Sequence, residues 1–443
     1  MRDSSRPGGR SEAAKYSARK TTQRERLLAG MVAVANRAGY AGANVSAVIA
    51  QAGVSRPTFY DYFSDRDDCF LATLEEAHCR LLAGVRDGVA AADPADALSA
   101  AIGALLGFAA AEPALARFMT AEPMAGGPRL LTVRDQGIAQ IADEIAHAHA
   151  LAPATAMIPD VSPRMIVGGL YRLLGSHLRR GEQNVSSLLE ELVPWIESYR
   201  RPHAELRWSS LKHERPPSLS PHVPDTPLSA PAGLGPGRPR ISPEQVAENQ
   251  RLRILFAAAQ MAEEKGYTAT TIADITKTAG VDGRVFYTLF ADKQDAFMTV
   301  HELGVRQVMA ITAAAFFSGA TWPQRAWEAG RALTQFLQIN PLIAHVGFVE
   351  AHAVGPAAVQ RVEDSHIAFA VFLQEGYQYA SVPAPPSKAA LEAIVTATFE
   401  LIYLEAHTSP EPQLAGLLPH MTFLFVAPFL GAAEAHELVV AQL

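Results

Sequence analysis

A chain of 443 residues, 49% hydrophobic and 19% charged with 31 glycines and 30 prolines, has the composition of a globular protein, which excludes a disordered, collagen-like or disulfide-scaffold chain. At roughly 100–200 residues per domain, it holds about two to four domains. Its formal charge of −7 is unevenly spread, since residues 1–66 carry eleven Lys and Arg against five Asp and Glu, a local +6 that leaves −13 for the rest; that is the footprint of a phosphate-binding module ahead of an acidic body.

The first thirty residues are Arg-rich but lack a continuous apolar stretch, so no secretory signal is expected. Residues 1–20 read as a basic arm. Leu28, Met31, Val32 and Ala35 then recur at helical spacing up to Gly39, which suits a helix C-cap. Asn44 is placed to cap a second helix that runs to Ala52, and Gly53 falls where a tight turn needs positive φ. Ser55 and Pro57 open a third helix whose Phe59 and Phe63 face inward, leaving Arg56, Thr58, Tyr60 and Tyr62 outside. A unit of this kind, over residues 21–68, leads into a body over 69–203 that reads as helical, with apolar positions at three and four. Cys69 and Cys79 have no Cys or His close enough for a zinc site or a local disulfide, which fits a reducing, cytoplasmic setting without metal or cofactor.

Residues 202–243 hold ten prolines among Ser, Gly and Ala and keep no helical period. The segment 204–243 is therefore expected to be a linker, with ends about 32–39 Å apart as a flexible coil. Beyond it the first pattern returns. Leu255, Ala258, Ala259 and Ala262 precede Gly266, Thr271 caps the next helix, and Gly280 makes the turn. Asp282 opens a helix with Phe286 and Phe290 inward and Gly283, Arg284, Tyr287 and Thr288 outward. This second unit, residues 244–297, is followed by a body over 298–443. Within that body, 414–433 is apolar except for His420 and Thr422, but Pro419 and Pro428 interrupt it, so a buried helix is expected and no membrane span.

The recurrence is a true internal repeat. At an offset of 227, residues 39–70 share eleven identities in thirty-two with the second copy, among them Gly39-Tyr40 on Gly266-Tyr267 and Asp65 and Asp68 on Asp292 and Asp295. Unrelated segments share about two, given residue usage of about 5–7% per common type. At offset 228, Pro113, Glu122 and Gly127-Pro128 fall on Pro341, Glu350 and Gly355-Pro356, so the bodies are duplicated too.

A helix, a Gly-containing turn and a short helix presenting Arg, Thr and Tyr form a helix-turn-helix, whose second helix enters the DNA major groove. Gly-Tyr, Ala-Gly-Val-Ser, Phe-Tyr-Asp-Tyr-Phe and Asp-Arg-Asp in the first copy resemble the N-terminal domain of TetR-family transcriptional regulators. The resemblance implies an all-α protein, with two copies of a three-helix helix-turn-helix domain each followed by a helical ligand-binding and dimerisation domain. It implies a DNA-binding regulator, expected to be a repressor released from its operator by a small apolar effector. Carried over by position, Arg56 and Thr58 approach bases or phosphates, Tyr60 and Tyr62 phosphates, and Asn44 and Arg66 the backbone at helix N-termini, with the cap Ser55 counted in the same DNA-binding set. Arg19, Lys20 and Arg24 fall in the arm, where they would follow the minor groove. The second copy offers Thr271, Arg284, Tyr287, Thr288 and Lys293.

That copy departs from the pattern in Asp282, a negative charge where phosphate approaches, and in Leu289 at the Tyr62 position. Residues 238–295 hold eight basic and eight acidic residues, so the first copy is expected to supply most of the phosphate affinity, with the basic stretch at 237–240 as partial compensation. Phe108, Phe118 and Met119 in one body, and Trp322, Trp327, Phe336, His345 and Phe348 in the other, are effector-binding candidates. Because family members act as two-fold dimers, the last helices of each half, about 164–200 and 388–438, are expected to pair within the chain on an asymmetric operator, with further homodimerisation open. The competing reading is a small-molecule sensor or protein-interaction module of degenerate repeats that binds no DNA. No nucleophile elbow, His-Glu-x-x-His or phosphate loop points to an enzyme.

Overall fold

The computed structural model describes residues 9–93, 96–151, 161–182, 184–199, 218–235 and 241–443. They are helices and connecting turns, with no strand among the described residues. In the first half α1 (Gly9–Gly42), α2 (Val45–Ala52) and α3 (Arg56–Tyr60) form a compact unit. α4 (Arg66–Ala91) leads from it into α5 (Ala97–Ala111), α6 (Pro113–Ala121), a 3-10 turn at Glu122–Ala125, α7 (Pro128–Leu151), α8 (Pro163–Arg179) and α9 (Leu188–Glu197). The second half repeats this order as α10 (Pro243–Ala269), α11 (Ile272–Ala279), α12 (Gly283–Leu289), α13 (Lys293–Phe316), α14 (Trp322–Ile339) and α15 (Pro341–His345). After irregular turns at Val346–Glu350 and Ala351–Val354 come α16 (Pro356–Gln374), α17 (Lys388–Thr408), α18 (Leu418–Leu430) and α19 (Ala432–Gln442).

The repeated Asp pairs have a local cause. Asp65 caps α4 by accepting the Asp68 amide (2.8 Å), and the Asp68 carboxylate accepts the Ser64 amide (2.8 Å). Asp292 and Asp295 do the same at α13, at 2.8 and 2.9 Å. These reciprocal bonds satisfy amides that a helix start leaves unpaired. The long helix α4 runs unbroken across residue 69, so the expected boundary there is a point on one helix rather than a linker.

Two sequence expectations change. The N-terminal arm is shorter than residues 1–20, because α1 already begins at Gly9; its stretch of Ala, Glu, Lys and Arg without Gly or Pro favours helix. The Pro-rich segment is not a free coil over 218–235. Prolines deny it a helix, but Gln335 of α14 bonds Ser220 N and Ser218 O (2.8 and 3.1 Å), Asn340 accepts Leu228 N (2.7 Å), and Asn249 of α10 donates to Ala232 O (3.1 Å). With Val223 buried, it forms a strap from the second body to the second helix-turn-helix.

The halves meet along α8 and α17. Gly168 and Gly169 permit the approach: a Cβ on Gly169 would stand 2.7 Å from the Ala397 Cα, and Thr396 donates to Gly169 O (3.0 Å) across the seam. Beyond α9, Tyr199 donates to Leu424 O of α18 (3.0 Å) while accepting from the Trp195 indole (2.7 Å). One contiguous core joins the first helix-turn-helix with both bodies, and the second helix-turn-helix keeps a core of its own around Phe286 and Phe297. Within 414–433 lies buried α18, closed by Gly431 at φ 83°; no single helix among the described residues is long and apolar enough to cross a membrane.

Candidate nucleic-acid interface

Each helix-turn-helix is fixed by its caps. Asn44 accepts the Ala47 amide (3.0 Å) at the start of α2, and Gly53 closes that helix in the left-handed region at φ 62°. Ser55 then accepts the Thr58 amide (3.2 Å) to start α3. In the second copy Thr271, Gly280 at φ 61° and Asp282 stand at the same three points. Arg26 donates to the Gly53 carbonyl (2.8 Å), and the positive φ is what calls for glycine at both turns. Phe59 and Phe286 are fully buried beneath the recognition helices.

This burial leaves a polar face outward. Arg56 is exposed and its guanidinium donates to Ser46 Oγ (2.9 Å), holding a positive charge over the start of α2, where amide N–H groups already favour an anion. Ser46, which sequence reasoning missed, joins Asn44, Ser55 and Arg56 there; only its place in the first turn of the helix could have signalled it. Thr58 shares a hydroxyl contact with Ser55 (2.8 Å), Tyr60 is 50% exposed, and Tyr62 is half-buried. On the second face Arg284 is exposed and Tyr287 64% exposed, while the exposed Thr288 turns its hydroxyl back to Val285 O (2.7 Å).

The second copy is more acidic at its helix starts than its sequence alone suggested. Asp282 spends its carboxylate on the Arg284 amide (2.8 Å). Asp274 occupies the position of Ala47, accepts from the Thr271 amide (2.9 Å) and hydroxyl, and pairs with Lys265. The bonds from Lys265 and Thr271 hold the Asp274 carboxyl well below the usual carboxylate range, so it stays negative where a phosphate would approach α11.

Arg66 and Lys293 are committed elsewhere than to a free backbone grip. Arg66 lies 4.3 Å over the Tyr40 ring, donating to Tyr40 OH (2.7 Å) and Asp67 (2.7 Å). Lys293 lies 4.1 Å over the Tyr267 ring and donates to the carbonyls of Tyr267 and Thr270 (both 2.8 Å). Burial, followed by the bond to Asp67, pushes the Tyr40 hydroxyl up to about 12. Arg24 belongs to α1, not to an arm, and stands 3.9 Å from Glu76 of α4. The side chains of Arg19 and Lys20 and the basic stretch at 237–240 lie outside the described residues.

Behind each reader sits a matched hinge. Gly39 (φ 70°) and Gly266 (φ 81°) break α1 and α10, and the next amide donates into the body, Tyr40 to Glu122 and Tyr267 to Glu350, both at 2.8 Å. Burial raises the Glu122 pKa, and the Tyr40 amide works against that rise. Glu122→Ala leaves this amide unsatisfied, at a cost of about 1–3 kcal/mol. Faster hydrogen exchange at Tyr40, with the α4 core unchanged, is the expected signature.

The bodies hold a cleft in the second half. It is a narrow apolar cleft, partly open to solvent, between α13, α14, α16, α17 and α18, under Phe316, Phe348, Phe369, Phe372 and Phe399. Two threonine hydroxyls on its wall, Thr312 and Thr422, are buried without a hydrogen-bond partner. Of the eight effector candidates, Phe348 lines it. Trp322 is core, donating to Phe372 O (2.9 Å), and Trp327 and Phe336 are buried away from the cleft. His345 stands 3.5 Å from Glu350 at the hinge. In the first half Phe118 packs 4.5 Å from Phe70, Met119 is buried beside it in α6, and Phe108 is half-buried.

Two capped helix-turn-helix units on a wholly helical frame define a DNA-binding protein of the helix-turn-helix class. The sequence profile of bacterial regulatory proteins of the tetR family matches residues 27–73 and again 254–297. Each half of the chain thus carries one domain that matches the DNA-binding domain of that family. Similar solved structures include the fatty acid degradation regulator FadR from Bacillus halodurans (17% identity, 42% of this chain and 96% of that one, TM-score 0.36). Others are a tetR-family regulatory protein from Rhodococcus RHA1 (21%, 41% and 98%, 0.35) and FadR from Bacillus subtilis in complex with stearoyl-CoA (18%, 40% and 98%, 0.35). No curated protein matches the chain.

Proposed function

We propose that the chain is a cytoplasmic repressor that binds an asymmetric operator as an intrachain pseudo-dimer and lets go when a small apolar effector enters the second body. The observation that carries this is the seam of α8 on α17, where the two halves pack as partners and each presents one reader. The readers differ in sequence and charge, Arg56 standing where the other has Gly283, so the half-sites differ too. A footprint of one chain on two unlike half-sites is expected; two chains on a strict palindrome would overturn it.

The cleft supports the effector. Its rings suit an apolar body, and two unpartnered hydroxyls suit a compound with one hydroxyl or carbonyl, which the walls must part to admit. Binding there presses on α13, which continues from the second reader, and on α17 at the seam. Medium-chain alcohols are expected to raise the unfolding midpoint more than alkanes of equal length. Thr312→Val with Thr422→Val should weaken alcohol binding about two- to tenfold without affecting the alkanes. Equal binding of both series by the wild type would count against this ligand class.

A further inference from the structure

The two halves are related by a shift of 228 residues through their bodies, and that shift carries Arg172 onto position 400, which is Glu. These equivalent residues face each other. Arg172 Nε donates to Glu400 (2.7 Å) and Arg134 of α7 adds two bonds to the same carboxylate (both 3.0 Å), all three side chains being buried. Contact between equivalent positions marks the local pseudo-two-fold axis, and the contact of Gly169 with Ala397, also 228 apart, lies on the same seam. Away from the axis each half sends one carboxylate across the seam. Asp135 of α7 reaches across to Tyr403 (3.1 Å), and its counterpart Glu363 of α16 reaches across to Arg179 (2.9 Å). The axis pair itself is opposite in sign, and the counterpart of Arg134 is Val362.

We propose that Arg172, Arg134 and Glu400 form a pairing code that admits one first half with one second half and rejects two copies of either. Two first halves would bring four guanidiniums to the axis against only the two Asp135 carboxylates, without Glu400. Two second halves would oppose two buried carboxylates with no cation from position 362. Either arrangement buries uncompensated charge, which a protein interior tolerates poorly. The inference rests on the pairing of halves described above and needs no DNA, so it is tested by mass and melting alone.

The test uses full-length chains. Glu400→Arg and Arg172→Glu, each alone, are expected to lower the unfolding midpoint by about 10 °C. Combining both in one chain restores most of that loss, because the same three charges are present again. The decisive arm is co-expression of the two single variants under different tags. Each chain then carries halves that repel one another and match those of the other chain, so native mass spectrometry should show a two-chain particle, twice the 47.5 kDa of one chain, with a recovered midpoint. Single variants melting within about 2 °C of wild type would overturn the code, since that shift corresponds to a trivial loss of stability. So would a co-expressed pair with no two-chain particle.

Discussion

Arg56→Ala is expected to weaken operator binding about tenfold to a hundredfold, an effect of about 1–3 kcal/mol, and Arg284→Ala by distinctly less. Arg56 leans over the start of α2 through its bond to Ser46, so one positive charge, a capped helix start and the exposed Tyr60 converge on the same face. On the second face the helix starts carry the carboxylates of Asp274 and Asp282, both acceptors of local amides, and these repel the phosphate that Arg284 would attract. The measurement is affinity against salt on the footprinted site. Loss of a phosphate contact lowers the salt slope by about one, whereas loss of a base contact leaves the slope and relaxes one half-site. Equal losses in both variants would remove the ranking of the two readers.

Acid should unfold the protein well above the range in which most carboxylates titrate. His78 is 4% exposed with both ring nitrogens unpartnered, and burial, aided by the Arg134 charge, pushes it down to about 4. His301 is pushed to about 4 by burial and Arg361 against the pull of Glu302, and His366 to about 3 by burial, Arg172 and Arg179 against Glu392. A histidine in the unfolded chain titrates near 6.5. With the folded value depressed, the unfolded state binds more protons between the two values. The stabilisation is whole above pH 6.5 and drains away as pH falls toward 4, on the order of 3 kcal/mol for each such histidine. Glu400, which its two arginines hold at about 2 against burial, adds its own loss only below pH 4.5. Urea midpoints at pH 7, 6 and 5 should therefore fall steeply, and His78→Phe should flatten part of the slope. A flat profile from pH 7 to 5 would refute the account.

What could be read in the sequence was what is decided locally. Asn44, Gly53, Ser55 and their counterparts announce caps and a left-handed turn whatever surrounds them, so the helix-turn-helix was legible twice. Arg66 and Lys293 were not, because a long cationic side chain takes the partner that tertiary structure supplies, here the rings of Tyr40 and Tyr267. The cleft is the space five helices leave between them, so Phe369, Phe372 and Phe399 give no local sign of lining it. Trp322 misled for the matching reason: a large aromatic side chain fills a core as readily as it walls a cavity. Glu122 and Glu350 stood in the repeat as a faint echo, and their meaning emerged only with the amides they hold.

The glycine notch on α8 also bears on how such a chain changes over generations. In a dimer of identical subunits every substitution near the axis arrives twice, facing itself, so a new bulge or charge meets its own copy at once. Here Gly168 and Gly169 face Glu400 and Ala397, and a change on one helix is judged only against the other. Duplication within one gene thus lets the two sides of a joint drift apart in size and sign. Once they have done so, neither side can return to life beside a replica of itself.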